Sequence, residues 1–170
     1  SKNMKIEKDG ITMLLEHDHS VRKLESYRKD GQQISEKQNL VRAFFLEKNI
    51  QLTIGKVSYL KAFDLVRCRK RKKPKRRVKI DFSNVEDIAN KIEDITIIEV
   101  KATKDKKVDK NFSKHWFNLS VREFWLAVAL KDQYRFILIH EGLGKYQELR
   151  WQDILARAKT VNLDFKITLE

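Results

Sequence analysis

The sequence predicts an α/β domain in which a central mixed β-sheet is flanked by helices. Three observations carry that prediction. Residues 95–98, Ile-Thr-Ile-Ile, form an apolar and largely β-branched run of the kind found in strands buried on both faces. Two capping-box patterns, Ser35-Glu-Lys-Gln38 and Ser120-Val-Arg-Glu123, each lead into apolar residues at helical spacing. Between and after them, further short apolar runs alternate with polar or glycine-bearing breaks.

The bulk numbers set the class. The 170 residues suit one domain, long enough to bury roughly 70% of the unfolded surface. Hydrophobic residues make up 41%, which predicts a true core rather than disorder. The formal net charge of +13 favours a polyanionic partner. The single cysteine, Cys68, excludes an internal disulfide framework and a Cys-rich zinc site, and reads as a strand residue. No run approaches the length of a membrane span and no signal-peptide pattern opens the chain, so a cytoplasmic location is expected.

In chain order, residues 1–10 read as a frayed charged lead-in, followed by a short apolar run at 11–15 and a helix from Ser20 through Lys29, ending before Gly31. Residues 1–34 are thus expected as an N-terminal helical extension and 35–170 as the main domain. The helix opened by Ser35 carries Leu40, Val41, Phe44 and Phe45 on one stripe and ends at Asn49. Strands are expected at 50–54, closed by Gly55, and at 57–68. A helix capped by Ser83 should run from Asn84 to about Ile92. The helix opened by Ser120 should run to about Leu130, apolar on most of its surface and buried on the sheet. Residues 134–140 read as another core strand and Gly142 and Gly144 as a turn. Beyond them lie a strand at 146–150, a short helix at 152–158 and an edge strand at 161–169.

Two acids sit where charge is costly. Glu99 and Lys101 end the apolar run at 95–98 with one Val between them, so on a strand both side chains leave the same face. They must neutralise each other or hold something else. Asp64 interrupts a second apolar strand, where a metal ion, a lysine or backbone N–H groups would compensate it. From 67 to 79 nearly every residue is Lys or Arg, the block 67–94 forming a basic insertion between these two strands. It lacks the apolar face of a membrane-lying helix, and phosphate contact is preferred over a localisation signal. Arg69, Lys70, Arg71, Lys72, Lys73, Lys75, Arg76 and Arg77 are the candidate phosphate-binding residues there. Lys104, Lys106, Lys107, Lys110 and Lys114 are those of a second, lysine-rich loop. His17 and His19 form an H-x-H pair with nothing nearby to complete a ligand set, and His115 and His140 read as structural.

An acid on one strand with E-x-K on its neighbour resembles the PD-(D/E)XK nuclease superfamily, over residues 35–140. A closer likeness is to the NO VEIN C-terminal-domain group. It rests on Phe63-Asp64-Leu65, Ile98-Glu-Val-Lys-Ala-Thr103, Phe117-Asn-Leu-Ser-Val-Arg-Glu123 and Asp132-Gln-Tyr134. Ala62 and Ala102 stand where that group tends to carry glycine.

The resemblance implies a restriction-endonuclease-like core and a metal-dependent DNA endonuclease of restriction, genome-defence or mobile-element type. Asp64 and Glu99 would bind Mg²⁺, with Mn²⁺ as a substitute, hard oxygen ligands suiting such ions. The Val100 carbonyl is a further ligand candidate. Lys101 would orient or help deprotonate the attacking water, or stabilise transition-state charge. Glu36 is the candidate supporting acid, and Asp81 the alternative to Asp64. DNA is the expected partner, with a homodimer or larger complex left open and no membrane. The competing expectation is a non-catalytic nucleic-acid-binding module on the same fold.

Overall fold

The computed structural model describes residues 2–45, 53–54, 57–58, 62–71, 78–162 and 166–169. Its centre is a five-stranded sheet in the order β1 (Val21–Lys23), β6 (Leu65–Lys70), β7 (Ile92–Thr103), β8 (Tyr134–His140), β9 (Lys145–Leu149). The sheet is mixed: β7 and β8 run parallel while the other neighbours are antiparallel. Helix α1 (Lys2–His17) covers one face, its Leu14 packing with Leu65, Ile98, Val100, Ile137 and Ile139. The opposite face carries Val66, Ile95, Ile97, Tyr134 and Phe136. It packs against α2 (Glu36–Phe44), α3 (Val85–Lys91) and α4 (Val121–Leu130). The α/β architecture with a mixed sheet between helices is thus as expected, and among the described residues no helix is long and apolar enough to cross a membrane.

Strand β7 organises the rest. Its first half, Ile92–Ile98, pairs with β6, and its second half, Ile97–Thr103, with β8. Beside residues 99–103, the β6 side of β7 has no neighbouring strand among the described residues. Both expected caps on α2 and α4 are present. The Ser35 side chain accepts from the Gln38 N–H, and Ser120 and Glu123 complete a reciprocal box.

The N-terminal third departs from expectation. Residues 2–17 are helical rather than frayed, because Ile11, Leu14 and Leu15 make a stripe that the sheet buries. Residues 20–29 are not a helix. Asp18 accepts from the Ser20 N–H and hydroxyl, and the chain turns into β1, which joins the main sheet. It then forms a hairpin of β2 (Ser26–Lys29) and β3 (Gln32–Ser35). Asp30 and Gly31 form its two-residue loop, with φ of 50° and 75°, as a type I′ turn requires. The first 34 residues therefore contribute a covering helix and an edge strand to the same core.

Other boundaries shift for local reasons. Helix α2 ends at Phe44, and the predicted stop at Asn49 lies outside the described residues. Within 50–54 the strand is seen at β4 (Thr53–Ile54), which pairs with β5 (Val57–Ser58). Residues 57–68 are not one strand: β6 starts only at Leu65, leaving Asp64 at the bend before it. Residues 80–82 carry no strand, and the α3 cap is Asn84 rather than Ser83, its Oδ1 accepting from the Glu86 and Asp87 N–H groups. Ile92 opens β7 instead of closing α3. Helix α4 buries Leu126, Ala127 and Leu130 but leaves Val121, Trp125 and Val128 exposed. Gly144, at φ 58°, makes the turn into β9, and α5 (Trp151–Arg157) follows. Of the edge strand expected at 161–169, residues 161–162 and 166–169 are exposed and carry no strand.

Gly10 sets how closely α1 lies on the sheet: a Cβ there would stand 3.1 Å from the Ala102 Cβ and 3.5 Å from Ile139. Gly10→Val is expected to lift α1 and cost about 1–3 kcal/mol, read as a lowered urea midpoint.

Candidate metal centre

The site forms just before β6 begins, where β7 continues past its pairing. The Asp64 N–H still donates to the Ile98 carbonyl at 2.9 Å, as the last rung of the β6–β7 ladder. At the next rung a side chain replaces the strand, as the Val100 N–H donates to Asp64 Oδ2 at 2.8 Å. Two donors hold the corner, Tyr134 fully buried and Lys37 half-buried. Tyr134 donates its hydroxyl proton to the Ala62 carbonyl at 2.5 Å, and Lys37 Nζ donates to the Phe63 carbonyl at 2.8 Å. The Lys37 ammonium also stands 4.4 Å above the Phe63 ring.

Three carboxylates meet at this gap. Glu7 of α1, Asp64 and Glu99 each offer an oxygen, and the three oxygens lie within 4.8 Å of one another. Glu99 is only 5% exposed. Lys101, two residues beyond on the same face of β7, bridges Glu99 at 3.3 Å and Glu123 of α4 at 2.9 Å. The capping box of α4 aims Glu123: one of its oxygens accepts from the Ser120 N–H and the other from Lys101. A residue that starts the helix thereby also anchors the lysine.

Charge is crowded here. Burial, a hydrogen bond to Glu123 and the nearby Asp64 push the Glu99 carboxyl up to about 11. Glu99 is thereby biased toward its protonated form, while its bonding partner Glu123 is held below the usual glutamate range despite its burial. Glu7 is raised by burial and by Asp64. Burial alone would depress Lys101, but Glu99 and Glu123 outweigh it and keep the ammonium charged. In Lys37 burial prevails and lowers its pKa, against the pull of Asp64 and Glu99. A hard divalent cation suits this donor set, since three converging carboxylate oxygens repel one another until a positive charge lies between them.

Comparison with protein-family models, curated proteins and solved structures finds no match for this chain. The site is therefore read from its own geometry.

The sequence-derived candidates divide clearly. Asp64, Glu99 and Lys101 come together. Asp81 is elsewhere, exposed, accepting from the Ser83 N–H and hydroxyl in the turn before α3. Glu36 is buried but turned away, since its carboxylate takes Arg22 at 3.2 Å and the Glu25 N–H at 3.0 Å and so ties α2 to the N-terminal segment. The residue of α2 that approaches the site is its neighbour, Lys37. Glu7, which the sequence reading passed over, supplies the third acid.

The histidines hold backbone. His17 donates to the Met13 carbonyl at the exit of α1, and His140 bridges the Asp105 carbonyl and the Leu143 N–H. Cys68 lies in β6, where burial pushes its thiol up to about 11.

The basic candidates are unequally free. Arg67 is committed to Glu148 at 2.7 Å and Asp18 at 3.2 Å. Arg69 lies 3.7 Å from Glu93 and Asp94, and Lys104 bridges Asp9 and Glu141. Lys70 donates to the Val78 carbonyl. Arg71, Lys106, Lys107, Lys110 and Lys114 are exposed and carry no ion pair among the described residues. Lys72, Lys73, Lys75, Arg76 and Arg77 lie outside the described residues.

A carboxyl whose folded pKa is raised stabilises the fold below its unfolded pKa and loses that contribution as pH rises. For Glu99 the window runs from the ordinary 4.5 to about 11. In EDTA at pH 8, Glu99→Gln is expected to raise stability by at least about 1 kcal/mol and flatten its fall with pH. The same substitution should abolish the thermal stabilisation that added Mn²⁺ gives the wild type. Thermal melts across pH, with and without Mn²⁺, check both outcomes.

Proposed function

We propose that the chain is a metal-dependent endonuclease that hydrolyses DNA phosphodiesters, of restriction or genome-defence type, on a restriction-endonuclease-like core. The observation that carries this reading is the meeting of the Glu7, Asp64 and Glu99 carboxylates beside the Lys101 ammonium, at an open edge of β7. Phosphodiester hydrolysis needs a nucleophile made from water at neutral pH and positive charge to offset the developing phosphorane. A divalent ion held by Glu7, Asp64 and Glu99, with Mg²⁺ preferred on ligand hardness, supplies both when bound.

The chain's own groups do the rest. Val100 N–H and the Ala62–Phe63 corner fix the Asp64 carboxylate on the gap side of β7. Lys101 stays protonated between Glu99 and Glu123, so its role is that of a fixed cation. It donates to the water or to a non-bridging phosphate oxygen and does not remove a proton. Glu123 limits the lysine's swing and sets which face of the gap it serves. Arg71 and the free lysines of 104–119 would hold backbone phosphates without reading sequence.

A non-catalytic nucleic-acid-binding module is the second reading. It is favoured by the Lys101–Glu123 bond, which satisfies the lysine without any substrate. Plasmid nicking separates the two. The wild type is expected to nick supercoiled DNA in Mg²⁺ but not in EDTA, and Lys101→Ala and Asp64→Asn are expected to slow nicking by about 100-fold or more. Equal nicking by wild type and Lys101→Ala, or none by either, would favour the binding module. Under both readings DNA affinity should fall steeply with salt, and a flat response would remove the phosphate-contact role of the basic residues.

A further inference from the structure

The loop between β7 and α4, residues 104–119, is unusually ordered for a lysine-rich segment. Asp105 and Asp109 are spent inside it, their carboxylates accepting from the N–H groups of Lys107 and of Asn111 and Ser113. Its Asp105 carbonyl accepts from His140 at 3.0 Å, and its Asn111 carbonyl accepts from Arg157 of α5. Val108 and Phe112 are buried in a small core with Leu138 and Leu149, and Phe117 packs against it. Leu138 is the register partner of Lys101, so this core lies on the sheet face that carries the site lysine. The His115 ring sits between Phe112 and Phe117, with centroids 6.0 and 5.4 Å away. Phe112 and Lys114 hold φ of 61° and 65°, conformations that non-glycine residues keep only where the surroundings enforce them.

From this braced platform one large side chain faces outward. Trp116 is 74% exposed, between the inward rings of His115 and Phe117. The loop carries five lysines against two aspartates, and both acids, though exposed, accept from the loop's own backbone N–H groups. Lys110 and Lys114 are exposed without an ion pair among the described residues. An exposed indole on a braced loop that also carries unpaired ammonium groups matches one ligand chemistry, a π-faced base whose flanking phosphates are negative.

We propose that Trp116 stacks on an unpaired nucleobase while Lys110 and Lys114 hold the adjacent phosphates. The substrate would then be nucleic acid with exposed bases, either a single strand or a duplex opened locally. The proposal rests on the nucleic-acid reading of the site but not on hydrolysis, so binding measured without divalent ions tests it separately.

The test is fluorescence anisotropy in EDTA with three labelled probes. They are a single-stranded oligothymidylate, the same length of sugar-phosphate chain with abasic sites, and a duplex, the last prepared both fully paired and with one unpaired thymidine. The wild type should bind the oligothymidylate about ten-fold or more tighter than the abasic strand. Trp116→Ala should erase that difference, Trp116→Phe should restore most of it, and neither should move blunt-duplex affinity more than about two-fold. The unpaired thymidine should strengthen duplex binding only when residue 116 is aromatic.

Equal wild-type affinity for base-bearing and abasic strands would overturn the proposal without use of any variant. So would a Trp116→Ala loss shared equally by single strand and duplex, or no binding to any probe. In that last case Trp116 is left as a contact for a protein partner. Loss of nicking with the stacking preference intact would instead count against the hydrolytic reading alone.

Discussion

A single hydrogen bond sets the character of this molecule: the Val100 N–H given to the Asp64 carboxylate. A strand that continues past the end of its neighbour leaves buried donors unpaired, at about 1–3 kcal/mol each. Here the residue just before the neighbour's first, Asp64, answers with its own side chain. The carboxylate closes the ladder and is fixed within reach of Glu99, one residue before Val100. Had β6 begun two residues earlier, backbone would have filled the gap and no acid would face Glu99 there. The site is a consequence of where β6 begins.

That arrangement stores unfavourable electrostatics at the centre of a well-packed sheet. Glu99 and Glu7 are both pushed toward their protonated forms, and the Lys101 charge is shared between Glu99 and Glu123. Nothing in the core requires these groups, since the faces of β7 around them are sealed by Ile97, Ile98 and Val100. Buried polar clusters that weaken the fold in the absence of a ligand are the kind of arrangement on which the proposed metal centre rests. The helices serve that end. Helix α1 reaches past the sheet to bring Glu7, Gly10 sets its distance, and the first turn of α4 delivers Glu123.

Much of this was legible where the physics is local. The period-2 spacing of Glu99 and Lys101, the apolar run before them and the Ser120–Glu123 box all act over a few residues, and each forms as read. Asp64 was readable as an acid that needed a partner. Which partner depended on the register of β6 against β7, which no local pattern encodes. Glu7 was hidden because its helix looked like charged lead-in until the sheet supplied a surface for Leu14. Glu36 was misplaced by one helical position, about 100° of rotation, which turns it to Arg22 and turns Lys37 toward the site. The Asp30-Gly31 turn was a readable hairpin signal, overridden by a cap-like Ser20.

The most direct measurement is anomalous diffraction from a crystal of the protein soaked in Mn²⁺. The predicted result is one strong peak bounded by carboxylate oxygens of Glu7, Asp64 and Glu99, with Lys101 still on Glu123. A site left empty at saturating Mn²⁺, with Glu99 still bonded to Glu123, or a peak only at surface acids such as Asp81, would contradict it.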